Sequence, residues 1–325
     1  MSKMNAKEVI AKVLEEKGKI NQVYWLACGG SLIDLYPAHC MINAESETIE
    51  SGWYNAKEFL LTPPKKLGKN SLAIVCSHSG NTPETVEAAY AAKKAGAAVI
   101  TLTDKPGSKC DTDEFISWVY PWGPEIPLSE VPSGITTALV AELLLAQENF
   151  AKYDVIMESI DKMNGIVKAA IEKVNKEMGE AFADVCEKHN FFYILGSGST
   201  FSQTYGFAIC SLMEMQWQHC SYIHSGEYFH GPFEVTENGV FYFLQMGSGK
   251  CRPMDERALK FLEKYTDSYM VLDAKEYGMD AIDPEVSDYF DPMLFYAMNC
   301  ELRAARGRRF NHDVDYRRYM GVVEY

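Results

Sequence analysis

The feature that most constrains this chain is a pattern that occurs twice. An apolar run without helical period is followed by a glycine turn and then by a segment with helical spacing. It appears first at Gln22-Val-Tyr-Trp-Leu-Ala-Cys28 with Gly29-Gly30-Ser31 after it, and again at Phe191–Leu195 with Gly196-Ser-Gly-Ser199 after it. Strand, glycine turn and helix make the first half of a βαβ unit. Strands that are apolar on both faces belong to a parallel sheet covered by helices on either side. The reading is therefore an α/β chain of two doubly wound, mainly parallel sheets. At 325 residues the chain is long enough for both.

Between and after these starts the same grammar continues. A charged helix is expected from Asn5 to Lys17, a helix from Leu32 to Asn43 that must accommodate Pro37, a strand at Glu47–Ser51 and a short helix at Asn55–Leu61. Ser71–Cys76 reads as a strand, Ser77-His-Ser-Gly-Asn81 as a polar turn, and Thr82 to about Lys94 as a helix. Thr82 suits the N-cap of that helix and Pro83 its first turn. Ala97–Thr103 and Phe115–Tyr120 read as further strands, and Gly134 to His189 as two helices broken near Tyr153. In the second half, Thr200 to His219 reads as one long helix carrying Glu214. Strands are expected at Gly239–Leu244 and Ser268–Leu272, and helices at Asp255–Tyr265 and Asp291–Arg306. The domain reading is an N-terminal helix (1–20), a first domain (21–150), a connecting helix (151–189), a second domain (190–306) and a tail (307–325).

Composition excludes several functions. The formal charge of −14, with no large basic cluster, argues against a nucleic-acid partner. No apolar run reaches the ~18 residues of a membrane span, and Met1–Lys7 is not followed by the apolar stretch of a signal peptide. Nine cysteines without CxxC spacing suggest reduced thiols in a cytoplasmic protein, with no metal site. No motif for a cofactor is present: neither a P-loop nor a dinucleotide glycine fingerprint opens a helix.

Two stretches carry chemistry. Ser77-His-Ser-Gly-Asn-Thr82 joins a strand to a helix N-terminus, where free N–H groups and the helix dipole favour an anion. The hydroxyls of Ser77, Ser79 and Thr82 add donors, Gly80 lets the backbone approach closely, and Ser31 opens the neighbouring helix. Gly30, Ser31, Ser77, His78, Ser79, Asn81 and Thr82 form the candidate binding set, although helix starts favour Ser and Thr for capping alone. Gly196-Ser-Gly-Ser199 has the same look and a weaker claim. The second stretch, Glu214 to Pro232, holds Glu214, His224, Glu227 and His230 among apolar and aromatic residues. A carboxylate in apolar surroundings and an imidazole both suit proton transfer near pH 7.

These residues carry a family resemblance. Cys28-Gly-Gly-Ser31 after a strand, Ser77–Thr82 before a helix, and Gly226-Glu-x-x-His-Gly-Pro232 in the second repeat resemble the SIS (sugar isomerase) fold, as in the double-SIS isomerase half of glucosamine-6-phosphate synthase. Glu214-Met-Gln-Trp217, Ile223–Glu234 and the ending Arg317-Arg-Tyr-Met-x-x-Val-Glu-Tyr325 resemble the fructosamine-6-phosphate deglycases more narrowly. Within that family they resemble the 6-phosphofructose-aspartate branch most, with the fructoselysine and glucoselysine 6-phosphate enzymes as relatives. The resemblance implies hydrolysis of a phosphorylated sugar–amino acid conjugate to glucose 6-phosphate and a free amine. It implies Glu214 as the base moving a proton between C1 and C2, and His230 as the acid–base group for ring opening and proton delivery. It implies Ser31, Ser77, Ser79 and Thr82 as phosphate ligands, and a homodimer in which His230 acts at the site of its own or the partner chain. Glu227, His224, Arg317 and Tyr319 form a supporting set. The synthase has a functional lysine near its C-terminus, whereas this chain has none after Lys275 and places Tyr319 or a neighbour there. That departure counts against an aldose–ketose isomerase or amino-sugar deaminase, and the expected lack of a glutaminase domain leaves no ammonia source for glucosamine synthesis. A non-catalytic phosphosugar sensor would need neither Glu214 nor His230.

Overall fold

In the first half, short segments separated by polar turns form five strands: β1 (Gln22–Ala27), β2 (Glu50–Asn55), β3 (Ser71–Cys76), β4 (Ala98–Thr103) and β5 (Ile116–Val119). The computed structural model describes residues 5–324, so residues 1–4 of the N-terminal segment and Tyr325 of the tail lie outside the described residues. All four pairings are parallel, in the order β2-β1-β3-β4-β5. β3 and β4 are buried at every position, as continuous apolar strands covered on both faces must be. On one face Tyr24, Leu26, Ala73, Val75 and Val99 meet Ala88, Ala89 and Ala92 of the helix Pro83–Lys94. The small alanines let that helix lie close to the sheet.

The chain divides into two compact units, the first ending at Asp161 and the second starting at Lys162, inside the helix Tyr153–Glu177. The second unit has four parallel strands: β6 (Phe191–Gly196), β7 (His219–His224), β8 (Phe241–Met246) and β9 (Tyr269–Asp273), in the order β7-β6-β8-β9. Its core sets Leu195, Tyr242 and Leu244 against Ala258 and Leu262 of the helix Arg252–Tyr265, with Tyr228 alongside.

Six sequence expectations are corrected. The strand expected at 47–51 starts at Glu50, because Glu148 gathers the preceding residues into a turn. It accepts from the Ser46 and Thr48 hydroxyls (2.7 and 2.6 Å) and from the N–H groups of Glu47 and Thr48 (3.0 and 3.1 Å). The helix expected at Leu32–Asn43 is two helices, Gly29–Asp34 and Tyr36–Glu45, with Pro37 in the first turn of the second. The segment from Gly134 to His189 holds a second break, at Met178 between the helices Tyr153–Glu177 and Gly179–Lys188. The long helix expected to reach His219 ends earlier, since Trp217 adopts φ 51° and the chain turns into β7. The expected strand Phe115–Tyr120 is shorter, at Ile116–Val119. The last helix runs on from Asp291 to Phe310 and ends at Asn311 in a left-handed conformation.

Ile74 lies in the middle of β3 and is 1% exposed. Ile74→Ala removes three methyl or methylene groups from a packed sheet face. Urea unfolding is expected to show a loss of about 2–5 kcal/mol.

Candidate active site

The order of the first sheet places a topological switch point between β1 and β3. The chain leaves β1 toward β2 on one side and returns to β3 on the other, which is where such sheets take ligands. Ser31 follows β1 and Ser77–Thr82 follow β3, so the two loops are neighbours: the His78 N–H donates to Ser31 Oγ at 3.3 Å. Thr82 occupies the N-cap position, yet its hydroxyl makes no capping bond and instead meets Ser77 Oγ at 3.0 Å. The reading of Thr82 as a cap is thus corrected, and its hydroxyl stays in the loop. Ser79 Oγ accepts from the Asn81 N–H (3.3 Å), and the Asn81 side chain ties the loop to its own Ser79 carbonyl (2.9 Å) and to the Lys109 N–H (3.2 Å). Gly80 is required here: at φ 65° an added Cβ would lie 1.9 Å from Ser108 Oγ. Gly30 has open space around it, so the backbone beside Ser31 stays accessible.

His78 keeps its side chain for the protein. Its Nδ1 pairs with the Tyr120 hydroxyl at 3.0 Å and its Nε2 lies 3.6 Å from Asp104. Burial lowers its pKa, and the opposing pull of Asp104 is smaller. Sequence reasoning missed Asp34, one turn beyond Ser31, whose carboxyl burial pushes up to about 7. A carboxyl that retains its proton adds less negative charge beside a loop suited to an anion. Its three-residue spacing from Ser31 on a helix was the only available signal.

The second unit has the corresponding loops after β6 and β8, but its own aspartates fill them. The Ser248 N–H and hydroxyl both donate to Asp291 (2.7 and 2.6 Å), the Lys250 N–H to Asp288 (3.0 Å), and the Gly247 N–H to Asp255 (3.2 Å). Ser225 Oγ donates to the other Asp255 oxygen at 2.6 Å. The Asp288 carboxylate sits where a Gly249 side chain would begin, 2.2 Å from an added Cβ. Ser199 is drawn to the Asp288 carbonyl. Burial pushes Asp255 up to about 6 and Asp291 up to about 8, and raises Asp288 as well.

Glu214 is the last residue of a π-helical stretch, Phe207–Glu214, that continues the short helix Phe201–Gly206. Each π turn takes in one more residue than an α turn, so Glu214 falls on a different face than α spacing would give. The apolar setting expected around this carboxylate is replaced by an ion pair. Arg317 from the tail donates its Nε–H to Glu214 Oε1 at 3.0 Å, and its Nη2 lies 2.9 Å from the same oxygen as an ion pair. The tail packs on this segment: Arg318 lies over the Trp217 ring at 3.6 Å, and His312 and Tyr316 flank the same ring at 4.6 and 5.2 Å. Tyr319 is 67% exposed, with no side-chain partner among the described residues.

His230 is exposed, held by its N–H on the Glu227 carbonyl at 2.9 Å, and Glu227 is exposed too. His224 accepts the Gly226 N–H at 3.1 Å and caps the short helix Ser225–Tyr228, with its pKa lowered by burial. Glu214 precedes β7 and His230 follows it, so the two lie toward opposite ends of a six-residue strand, roughly 20 Å long. Among the described residues no hydrogen bond or ion pair joins them, and Glu214 is paired with Arg317 instead.

Two parallel sheets with a hydroxyl-rich switch-point loop define a protein of the SIS class, and residues 51–147 match the SIS domain family. Over its full length the chain is 39% identical to the fructosamine deglycase of Bacillus subtilis strain 168, covering 100% of both. It is 25% identical to the fructoselysine 6-phosphate deglycase of Escherichia coli K12, covering 98% of this chain and 91% of the relative. A crystal structure from Salmonella typhimurium LT2, assigned to the phosphosugar isomerases, superposes with a TM-score of 0.94 at 34% identity, covering 99% and 96% of the two chains. The chain belongs to the fructosamine deglycase family of double-SIS proteins. None of its described helices is long and apolar enough to cross a membrane.

The aspartates of the second unit give a pH signature. Asp291 keeps its proton up to about 8 in the folded chain but loses it near its ordinary 3.8 when unfolded. Between those values the folded state holds the extra proton, so stability from this group falls as pH rises. Asp291→Asn removes the titration, and Ser248 can turn its hydroxyl to match the amide. Urea midpoints at roughly pH 5 and pH 8 are expected to show the variant gaining on the parent at the higher pH, by on the order of a few kcal/mol.

Proposed function

We propose that this protein hydrolyses a fructosamine 6-phosphate, a phosphorylated sugar–amino acid conjugate, to glucose 6-phosphate and the free amino acid. The observation that carries this is the end-to-end relation to a fructosamine deglycase at 39% identity, in a chain whose first switch-point loop is rich in hydroxyls. The loop of Ser31, Ser77, Ser79 and Thr82, with the backbone of Gly30, His78 and Asn81, holds the phosphate. A remote phosphate lets binding energy orient the reacting carbons.

Glu214 removes a proton from C1 of the open-chain ketoamine, giving an enaminol, and returns a proton to C2. The product is an imine between C1 and the amino nitrogen. Water adds across that C=N bond, the C1–N bond breaks, the nitrogen leaves with a proton as the free amine, and C1 becomes the aldehyde of glucose 6-phosphate. The net reaction consumes one water, and electrons move only within the sugar. His230 serves ring opening and proton delivery. Its exposure and its place at the far end of β7 from Glu214 support its acting in the site of a second copy, in a cytoplasmic homodimer. The saturated loops of the second unit support a single phosphate site in each chain.

The test is glucose 6-phosphate release, read with a coupled dehydrogenase, from the 6-phosphates of fructose-aspartate, fructoselysine and glucoselysine. One of these is expected to turn over rapidly, with Glu214→Gln lowering kcat by about 10²–10⁴. Failure of all three, with sugar phosphates still bound, would count against the deglycase. Ser79→Ala is expected to raise KM by roughly 10-fold or more while kcat changes less, since it removes one hydrogen bond to a charged group.

A further inference from the structure

The geometry points to Arg317 as a positioning residue that fixes the Glu214 carboxylate through Oε1 and leaves Oε2 as the oxygen that moves the substrate proton. This inference rests on the deglycase reading above and assigns a role to the tail. Two nitrogens of one guanidinium converge on the same Glu214 oxygen, Nε as a hydrogen-bond donor at 3.0 Å and Nη2 as an ion-pair contact at 2.9 Å. Oε2 has no hydrogen-bond partner among the described residues, so the pair holds the carboxylate in one rotation and leaves its second oxygen open.

The guanidinium is itself held from behind. Its Nη1 donates to the Val314 carbonyl and, at 3.3 Å, to the Tyr316 carbonyl. Three of its nitrogens are therefore engaged within the chain, which leaves little capacity for a substrate carboxylate and favours positioning over recognition. The next residue anchors the same segment independently, since Arg318 covers Trp217 at 3.6 Å. Trp217 lies three residues beyond Glu214, so the tail grips both ends of the short turn that follows the π-helical stretch. The side chains of Glu214 and Arg317 are 23% and 19% exposed, so the pair is partly shielded from solvent. A π turn presents Glu214 without the support of regular α packing, and Arg317 supplies that support from another part of the chain.

Three variants of the full-length protein test this. Arg317→Ala is expected to lower kcat about 100-fold with KM changed less than about 3-fold, the effect of a misplaced base on a bound substrate. Arg317→Lys keeps the charge without the planar guanidinium and its fixed Nε–H and is expected to retain an intermediate kcat. Arg318→Ala loosens the tail from Trp217 without touching the ion pair and is expected to keep kcat within about 3-fold of the parent. The decisive arm uses Glu214→Gln as background: there Arg317→Ala is expected to change the residual rate less than about 3-fold, because its effect passes through the carboxylate.

Equal losses in both backgrounds, or an Arg318→Ala loss as large as that of Arg317→Ala, would mean that Arg317 merely secures the tail, and would overturn the assignment. So would an Arg317→Ala enzyme with unchanged or higher kcat. If Glu214→Gln itself keeps full activity, the base assignment fails, which is a separate result from an inactive Glu214→Gln enzyme beside a fully active Arg317→Ala enzyme.

Discussion

The structure depends on the parallel pairing of the first and third strands of each sheet. β1 lies against β3 and β6 against β8, each time with the second strand on the far side. Parallel pairing needs a helical crossover, and crossovers deliver the strand-to-helix loops to one edge of the sheet. Reversal of the winding at this pair opens a crevice between two loops. Everything that suits the first unit to an anion follows: helix N-termini aimed at one place, hydroxyls on both loops, and a glycine where backbone must pass close to Ser108.

The two units then use this constraint in opposite ways. In the first, Ser77 and Thr82 bond to each other and remain available to an incoming oxyanion. In the second, Asp255, Asp288 and Asp291 hold the equivalent donors, and burial keeps their protons on beyond the usual carboxylate range. A carboxyl group has the oxygen geometry to occupy the backbone N–H groups that a phosphate would otherwise take. The duplicated architecture thus carries one open loop in the first unit and one loop closed by its own side chains in the second.

Much of this was legible in the sequence for a physical reason. β3, β4 and the helix Pro83–Lys94 are specified locally, by continuous apolar runs, a proline in the first turn and a glycine after the end, and they lie within a residue of where the pattern puts them. The loop Ser77–Thr82 stood out because three hydroxyls and a glycine gather in one turn before a helix, more than capping alone calls for. What was not legible depends on partners far along the chain. β2 begins late because Glu148 ties down residues a hundred positions earlier. The helix was carried to His219 and the edge strand β7 left unassigned because a tryptophan at positive φ is not a stop signal that residue types announce. The π-helical stretch and the Arg317–Glu214 pair were hidden for the same reason: a change of helical period and a tail-to-helix contact are fixed by tertiary packing.

The setting of Trp217 has a spectroscopic consequence. It is one of five tryptophans in the chain, and its indole is enclosed by an arginine, a histidine and a tyrosine that all come from residues 312–318. A guanidinium 3.6 Å from the ring centroid acts directly on the π electrons. The emission of this indole is therefore tied to whether the last segment of the chain is seated, and the protein carries a native fluorophore that reports on its own C-terminal docking without any added label.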